Sequence, residues 1–257
     1  MEVSSSGARV KADSPRPAFY ALRPGGWRDL VTVLHPPYTL WHLSYVAIGA
    51  AAAPQIHANR LAAAIAAFFL AVGVSAHALD ELNGRPLGTR LSDRTLIGLA
   101  VLGLGGALAI GIAGLFVVSV TLAPFIVAGA FLVVAYSLEL FKARFHTDFW
   151  FAAAWGAFPA LTGWWSNALG VHDAGQAIAG AGAALGCFWV TIAQRRLSTP
   201  VRELRRRTLA VSGEQRLAGG ASRELTMESL AAPLDGALRA LSVAMPVLAA
   251  GLVALRL

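Results

Sequence analysis

Long apolar stretches without a single charged residue alternate with short polar clusters along the chain. Five of these stretches contain no Asp, Glu, Lys or Arg; they are residues 37–59, 61–79, 95–138, 149–172 and 174–194. An α-helix rises ~1.5 Å per residue, so about 20 apolar residues cross a hydrocarbon core of ~30 Å. The third stretch is roughly twice that length and has room for two crossings joined by a turn. The pattern therefore predicts transmembrane helices.

The C-terminal region predicts one further span. Arg239 and Arg256 bracket an uncharged stretch that is short for a crossing, so we expect its helix to begin near Met227. The chain is thus predicted to be an all-α, polytopic transmembrane bundle of about seven spans, at residues 38–56, 61–80, 95–112, 115–138, 149–168, 174–194 and 230–255. Residues 1–26 are predicted to be a disordered cytoplasmic tail ahead of a transmembrane domain at 27–257.

Composition agrees with a membrane protein. Of the 257 residues, 56% are hydrophobic and 14% are charged, whereas a soluble domain carries about 25% charged residues. The single cysteine, Cys187, excludes a disulfide framework.

The distribution of basic residues predicts the orientation. If the spans alternate, all but three of the 21 Lys and Arg residues fall on one side; the exceptions are Arg60, Arg239 and Arg256. Basic residues accumulate in cytoplasmic loops. This side, with the N-terminus, is therefore predicted to be cytoplasmic, in a protein of a bacterial inner membrane. Such loops explain the net charge of +7 with anionic membrane lipids as partners and without nucleic acid.

An acidic cluster marks the end of the second span. His77, Asp80 and Glu81 stand at i, i+3 and i+4, a spacing that predicts one helix face. Such a face can hold a divalent cation, and the following turn with Arg85 can bind an anion. Ionisable groups at membrane depth are costly, which favours a functional role over a solvated helix end.

Two basic clusters on the same side are candidate phosphate-binding groups. The first follows Tyr136 and contains Lys142 and Arg144; the second includes Arg205 and Arg206. Guanidinium and ammonium groups bind phosphate oxygens. Ordinary positive-inside anchoring, or a helix lying on the lipid surface, explains the same residues and stays open as an alternative.

Taken in order, these segments resemble the UbiA superfamily of intramembrane prenyltransferases over about residues 30–215. Asp80 matches the central aspartate of the family's first Asp-rich motif, with His77 and Gly84 in place of its flanking aspartates. The Gly-Arg-Pro turn at 84–86, followed by Arg90, is similar to the family's Arg-Pro loop.

The later motifs are similar in part. Tyr136 with Lys142 resembles the family's Tyr-x-x-x-Lys-Arg segment, and residues 207–211 resemble the Arg-Thr-Leu-Pro-Val that closes the second Asp-rich motif. The aspartates of that second motif would fall at positions occupied by Gln194, Leu197 and Val201, none of which is acidic.

The resemblance implies an enzyme that ionises an isoprenoid diphosphate, with Mg²⁺ as cofactor, and transfers the prenyl group to an acceptor. It implies catalytic roles for Asp80, Glu81 and Tyr136 and metal-binding roles for His77, Asp80 and Glu81. The arginines would supply the charge neutralisation that the missing carboxylates and their metal would otherwise provide. The expected substrate-binding residues are Arg85, Arg90, Lys142, Arg144, Arg205 and Arg206.

Three other functions remain open at this point. A cyclase acting on the same substrates is a close variant of the transferase. A second possibility is a non-catalytic, UbiA-like bundle that binds a lipid or a partner protein, which the absent second carboxylate motif favours. The third is a membrane metalloenzyme with mixed ligands suited to Zn, Fe or Mn; its ligands would be His77, Asp80, Glu81, Glu139, His146 and Asp148.

Overall fold

The computed structural model of the chain describes residues 16–257, which fold into a helical bundle with one small β-hairpin. The helices are α1 (Trp27–Val33), α2 (Pro36–Ala52), α3 (Ala58–Leu82), α4 (Asp93–Val117), α5 (Val120–Ser137), α6 (residues 148–168), α7 (Ala174–Arg206) and α8 (Met227–Ala254). The hairpin pairs β1 (Glu214–Arg216) with β2 (Ser222–Glu224) in antiparallel register. A short left-handed turn, Leu140–Ala143, lies between α5 and α6, with positive φ at Phe141, Lys142 and Ala143.

Five of these helices are long and apolar enough to cross a membrane, which is compatible with an integral membrane protein. They are α3, α4, α5, α7 and α8. The other two predicted spans coincide with α2, which has 17 residues, and with α6. The 33 residues of α7 correspond to about 50 Å, so this helix is roughly 20 Å longer than a hydrocarbon core is thick.

Two helices contain π-helical segments. In α3 the segment is Phe69–Ala76, and in α6 it is Ala153–Ala157. A π turn places more residues in each turn than an α turn, so it rotates every following side chain relative to a regular α-helix. The first segment ends immediately before His77, at the start of the polar part of α3.

The core is built around α2, which packs against α6 and α8. Trp41 and Tyr45 of α2 are fully buried. Glycines allow the backbones of α2 and α6 to meet. A Cβ atom at Gly49 would overlap the backbone of Ala160, and one at Gly163 would overlap the carbonyl of Val46. This is the small-residue packing typical of helices in membranes.

The connections lie at two ends of the bundle. We call one the cavity end; it contains residues 16–35 and the connections at 83–92, 138–147 and 207–226. The opposite end contains residues 53–57, 118–119 and 169–173 and the C-terminus. There Arg256 donates hydrogen bonds to the carbonyls of Ala53 and Pro54, at 2.7 and 2.8 Å. Arg239 lies at the cavity end, 5.3 Å from the ring of Phe19, and not apart from the other basic residues as the spans predicted.

The segment before α1 packs on the cavity end. Ala18 and Ala21 are buried, and the backbone N–H of Leu22 donates to the hydroxyl of Thr32 at 3.1 Å. Residues 16–26 thus differ from the disordered tail expected for 1–26. The rest of that prediction, residues 1–15, lies outside the described residues.

Candidate functional site

A polar cavity of about 610 Å³ lies at the cavity end of the bundle. It is enclosed by α2, α3, α6, α7 and α8 and by the segment before α1. Charged and aromatic side chains from all these elements face it. Its principal polar lining residues are Tyr20, His35, Tyr38, His42, His77, Asp80, Gln194, Arg195, Arg202, Arg206 and Asp235.

Asp80 contributes its side-chain carboxyl group to this cavity. It follows the π-helical segment of α3 by one turn and lines the cavity beside His77. No Lys, Arg or His in residues 16–257 lies within ion-pair distance of it. No basic side chain of these residues therefore neutralises Asp80, and its nearest polar neighbour in the lining is Ser137.

Glu81 has a different environment, although it was predicted to act with Asp80. Its carboxylate is fully buried and accepts hydrogen bonds from the backbone N–H of Leu87 at 2.9 Å and from the N–H and hydroxyl of Thr89 at 2.8 Å. Consecutive residues of a helix point about 100° apart, so Asp80 faces the cavity while Glu81 faces the loop. Glu81 fixes the 83–92 connection and does not line the cavity.

A second buried carboxylate holds the same connection from the other side. Asp29 of α1 accepts from the backbone N–H groups of Gly25 and Arg90, at 2.9 and 3.1 Å. Two buried carboxylates, Glu81 and Asp29, therefore hold the part of the loop that follows the Gly-Arg-Pro turn. Asp29 was not recognised from the sequence, because a lone carboxylate beside an interfacial helix carries no motif.

Histidines form one wall of the cavity. The rings of His35 and His77 stack with centroids 4.1 Å apart, and Tyr20 packs against His35 at 5.1 Å. His77 Nδ1 lies 3.2 Å from the carbonyl oxygen of Gly73. Burial, followed by the proximity of His77 and Arg206, holds the pKa of His35 well below its ordinary value. His35 is therefore neutral at pH 7.

A row of arginines on α7 forms another part of the lining. Arg195, Arg202 and Arg206 are spaced at i, i+7 and i+11, which places them on one face of a continuous helix, and all three line the cavity. Arg195 forms an ion pair with Asp148 at 2.8 Å, and Arg202 donates to the hydroxyl of Thr199 at 3.1 Å.

Arg206 reaches the segment before α1, donating to the carbonyl of Pro17 at 3.2 Å. Burial raises the pKa of the neighbouring Tyr20, with a further contribution from Tyr38 and partial opposition from Arg206 and Arg202. The phenol of Tyr20 is therefore protonated at pH 7.

Arg205 does not line the cavity itself, although its partner Asp235 does. Its guanidinium forms a buried ion pair with Asp235 of α8, with a second carboxylate, Glu228, at 3.9 Å. It also donates to the carbonyl of Arg16 at 3.3 Å. Arg205 was predicted to bind substrate, but its contacts join α7, α8 and the N-terminal segment.

The remaining predicted basic residues also lie outside the cavity lining. Arg85 donates to the carbonyl of Leu91 at 2.5 Å and pairs with Asp93. The side chains of Arg90, Lys142 and Arg144 are exposed. The structure thus brings Arg206 to the predicted site and leaves Arg85, Arg90, Lys142, Arg144 and Arg205 at its periphery.

Tyr136 lies behind the cavity wall. It is 4% exposed, stacks on His146 with centroids 4.5 Å apart and meets Trp155 edge-to-face at 5.6 Å. It belongs to an apolar cluster with Val72 and Val133. Its position is adjacent to the predicted site without lining it.

The predicted metal ligands do not form a three-ligand cluster. Among residues 16–257, no three His, Cys, Asp or Glu side chains are grouped so that they could share a metal ion. His77 and Asp80 both line the cavity, whereas the oxygens of Glu81 are occupied by the loop. The mixed His and carboxylate metal site considered as an alternative finds no support in this arrangement.

The sequence prediction ended the sixth span at residue 194 and selected Arg205 and Arg206 from the arginine cluster at 195–207, leaving Arg195 and Arg202 out of the expected substrate-binding residues. The helix continues to Arg206, so Arg195 and Arg202 belong to the same face as Arg206. Gln194 lines the cavity where the second Asp-rich motif would place a carboxylate, and its Oε1 lies 3.4 Å from His42 Nε2. The heptad spacing of the arginines was the signal that would have identified them.

The chain matches no known protein-family model, no curated protein sequence and no solved structure.

Proposed function

We propose that the chain crosses the membrane seven times, with the cavity end in the cytoplasm. Two observations support this. Helices occupy all seven predicted segments. Of the Lys and Arg residues within 16–257, only Arg60 and Arg256 lie at the opposite end, which is the asymmetry expected of a cytoplasmic face. A seven-span UbiA-like bundle is the architecture we infer from them.

We further propose that the polar cavity binds an isoprenoid diphosphate and activates it for prenyl transfer. The observation that carries this proposal is that Asp80 and the arginine row of α7 line one cavity. Arg202 and Arg206 supply charge for the diphosphate. Three buried polar atoms of the lining, His42 Nδ1, Ser137 Oγ and Asp235 Oδ1, have no hydrogen-bond partner within residues 16–257, which favours a polar ligand or water there.

Asp80 fits a limited role in holding Mg²⁺. This ion is commonly bound by one or two carboxylates together with substrate phosphates and water, not by a complete protein cage. One free carboxylate facing a diphosphate meets that requirement. When bound there, Mg²⁺ would supply additional positive charge to the phosphate oxygens.

In the proposed reaction, the bond between the prenyl carbon and the diphosphate oxygen breaks and the diphosphate takes the electron pair. Arg202 and Arg206 stabilise the charge that develops on this leaving group. The aromatic faces of Tyr20 and Tyr38 stabilise the allylic carbocation. An acceptor nucleophile then bonds to that carbon and loses a proton. The segment at 16–22 covers the cavity and limits the access of water.

Binding without turnover is the second candidate function. It is favoured by the replacement of the second motif's carboxylates, since Gln194 and Val201 line the cavity at two of those positions. In that case the cavity would retain the prenyl diphosphate intact.

The test uses the full-length protein purified in detergent, with farnesyl and geranylgeranyl diphosphate as ligands. Release of diphosphate is measured with and without Mg²⁺ in wild type and Asp80→Asn. We expect Mg²⁺-dependent release that Asp80→Asn abolishes. Binding with no release would support the second candidate, and the absence of binding with both chain lengths would overturn the proposal.

A matched pair of arginine variants tests the diphosphate contact. Arg202→Gln removes a cavity cation and should weaken binding about tenfold, as expected for one charge-assisted contact. Arg196→Gln is the control, because Arg196 is exposed and does not line the cavity. Equal losses in both variants would mean that the arginines act only through overall charge.

A further inference from the structure

A second pocket lies in the other half of the bundle, between α3, α4, α5 and α6. Its volume is about 150 Å³, and its walls consist almost entirely of apolar side chains. Small residues such as Ala63, Ala67 and Gly111 line it, and Phe125 and Trp155 complete its walls. Such a lining suits a hydrocarbon chain.

The pocket has one charged residue among its described lining residues, Arg60. Arg60 lies at the opposite end of the bundle, half a turn into α3. Its guanidinium makes no hydrogen bond or ion pair with any residue from 16 to 257. An unpaired guanidinium at the rim of an apolar pocket would be stabilised by an anionic partner.

The depth of the pocket is close to the hydrocarbon thickness of one leaflet of a bilayer. Arg60 and Val72 both line it, and their separation of twelve positions along α3 corresponds to roughly 18 Å. Half of a ~30 Å hydrocarbon core is about 15 Å. Near Arg60 the wall residues are partly exposed, for example Ala63 and Ala67, whereas Val72 and Trp155 at the inner end are buried. The pocket therefore opens to the surroundings toward Arg60 and closes at depth.

The inner end is separated from the polar cavity. No residue lines both spaces. The apolar cluster of Val72, Val133, Tyr136 and Trp155 stands between them. A ligand whose anionic group sits at Arg60 is consequently oriented in the opposite direction to one whose diphosphate sits at Arg202.

We propose that this pocket is a binding site for an anionic membrane lipid from the leaflet at the opposite end. The lipid's phosphate lies on the Arg60 guanidinium and one of its chains fills the pocket between α3 and α4. Charge complementarity selects the headgroup, and the apolar, leaflet-deep walls select a lipid chain over a free phosphate. This site goes beyond the proposed prenyl diphosphate chemistry and does not depend on it.

The test measures lipid retained by the full-length protein with native mass spectrometry, using phosphatidylglycerol and phosphatidylcholine as probes. Wild type should retain phosphatidylglycerol in preference to phosphatidylcholine. Arg60→Ala should lower phosphatidylglycerol retention about tenfold, the loss expected for one charge-assisted contact, and Arg60→Lys should restore part of it. Equal retention of the two lipids, or no effect of Arg60→Ala, would overturn the proposal.

A second pair of variants tests the chain-binding part. Ala67→Phe fills the pocket and should reduce retention, whereas Ala66→Phe places the same ring on the neighbouring residue, which is exposed and does not line the pocket. Circular dichroism checks that both variants fold. Retention that falls equally in both would contradict the site.

Competition distinguishes the remaining occupants. Neither inorganic phosphate nor geranylgeranyl diphosphate should displace the bound phosphatidylglycerol. Displacement by inorganic phosphate would show a free anion site, and displacement by the prenyl diphosphate would show that the pocket belongs to the substrate chain. Either result would overturn the proposal, and neither depends on whether the polar cavity is catalytic.

Discussion

The carboxylate of Glu81 accepts hydrogen bonds from both the backbone N–H and the side-chain hydroxyl of Thr89, each 2.8 Å long. The neighbouring Asp80 makes no ion pair within residues 16–257 and lines the polar cavity. Two adjacent carboxylates thus have separate tasks. Glu81 shapes the loop beside the site, and Asp80 lines the cavity beside Ser137 without a basic partner among residues 16–257.

This difference predicts opposite results for two alanine substitutions. Glu81→Ala leaves two backbone N–H groups and a hydroxyl without their buried acceptor, so we expect it to lower the free energy of unfolding by about 3 kcal/mol or more. Asp80→Ala should change stability little and remove prenyl diphosphate turnover. Thermal unfolding in detergent and diphosphate release measure the two effects. A stable Glu81→Ala protein that lacks activity would contradict the loop-anchoring role.

The buried pair of Arg205 and Asp235 predicts strong coupling between α7 and α8. Their side chains are 13% and 5% exposed, and removing one partner of a buried pair costs about 3–5 kcal/mol because the other charge is left unpaired. Arg205→Met and Asp235→Leu should each destabilise the protein by about that amount. The double variant should recover most of the loss. Additive losses in a double-mutant cycle would show that the two residues act independently.

The close contact of α2 with α6 predicts that replacing Gly163 lowers stability, whereas replacing a glycine outside this contact does not. A Cβ atom at Gly163 would overlap the carbonyl of Val46, whereas the space around Gly105 in α4 is open. Gly163→Ala should destabilise the protein by about 1–3 kcal/mol, the usual cost of overpacking. Gly105→Ala should leave the melting temperature unchanged or raise it, because alanine favours a helix over glycine. Comparable melting temperatures for the two variants would contradict this packing.

The neutral state of His35 predicts a loss of stability in mild acid. Burial, His77 and Arg206 hold the pKa of His35 below the ordinary value of about 6.5. Below pH 6.5 the imidazole is therefore protonated in the unfolded chain but stays neutral in the folded protein. The associated stability is fully present above pH 6.5 and falls by up to about 1.4 kcal/mol per pH unit below it.

The pH prediction can be checked with melting temperatures at pH 7.5 and 5.5. Other charged or titratable groups that act on His35 are His42 and Arg202, and Tyr20 packs against its ring. His35→Asn keeps a residue that tolerates the positive φ of this position and should reduce the pH-dependent loss. His172→Asn, at an exposed site on the opposite end, should leave it unchanged. An identical loss in all three proteins would assign the effect to other groups.

The positions of the helices could be predicted from hydropathy because apolar length alone decides where a helix can cross a membrane. The directions in which the polar side chains point could not be predicted in the same way. Asp80 and Glu81 appeared to share a face, but the geometry of the following loop determined that Glu81 is enclosed. Hydropathy also ended the sixth span at the first arginine, although the charges beyond residue 194 continue the same helix. Because the helix continues, Arg195, Arg202 and Arg206 face the cavity. Arg205 instead pairs with Asp235, a residue of α8 whose position the sequence does not reveal.

The length of α7 makes the arginine row sensitive to helical phase. Arg195, Arg202 and Arg206 keep a common direction because no loop interrupts the helix between them. One residue inserted after Arg196 would turn Arg202 and Arg206 by about 100° away from Arg195, whereas an insertion of four residues would restore their direction to within about 40°. Substitutions in α7 should therefore be tolerated more readily than insertions or deletions between Arg195 and Arg206.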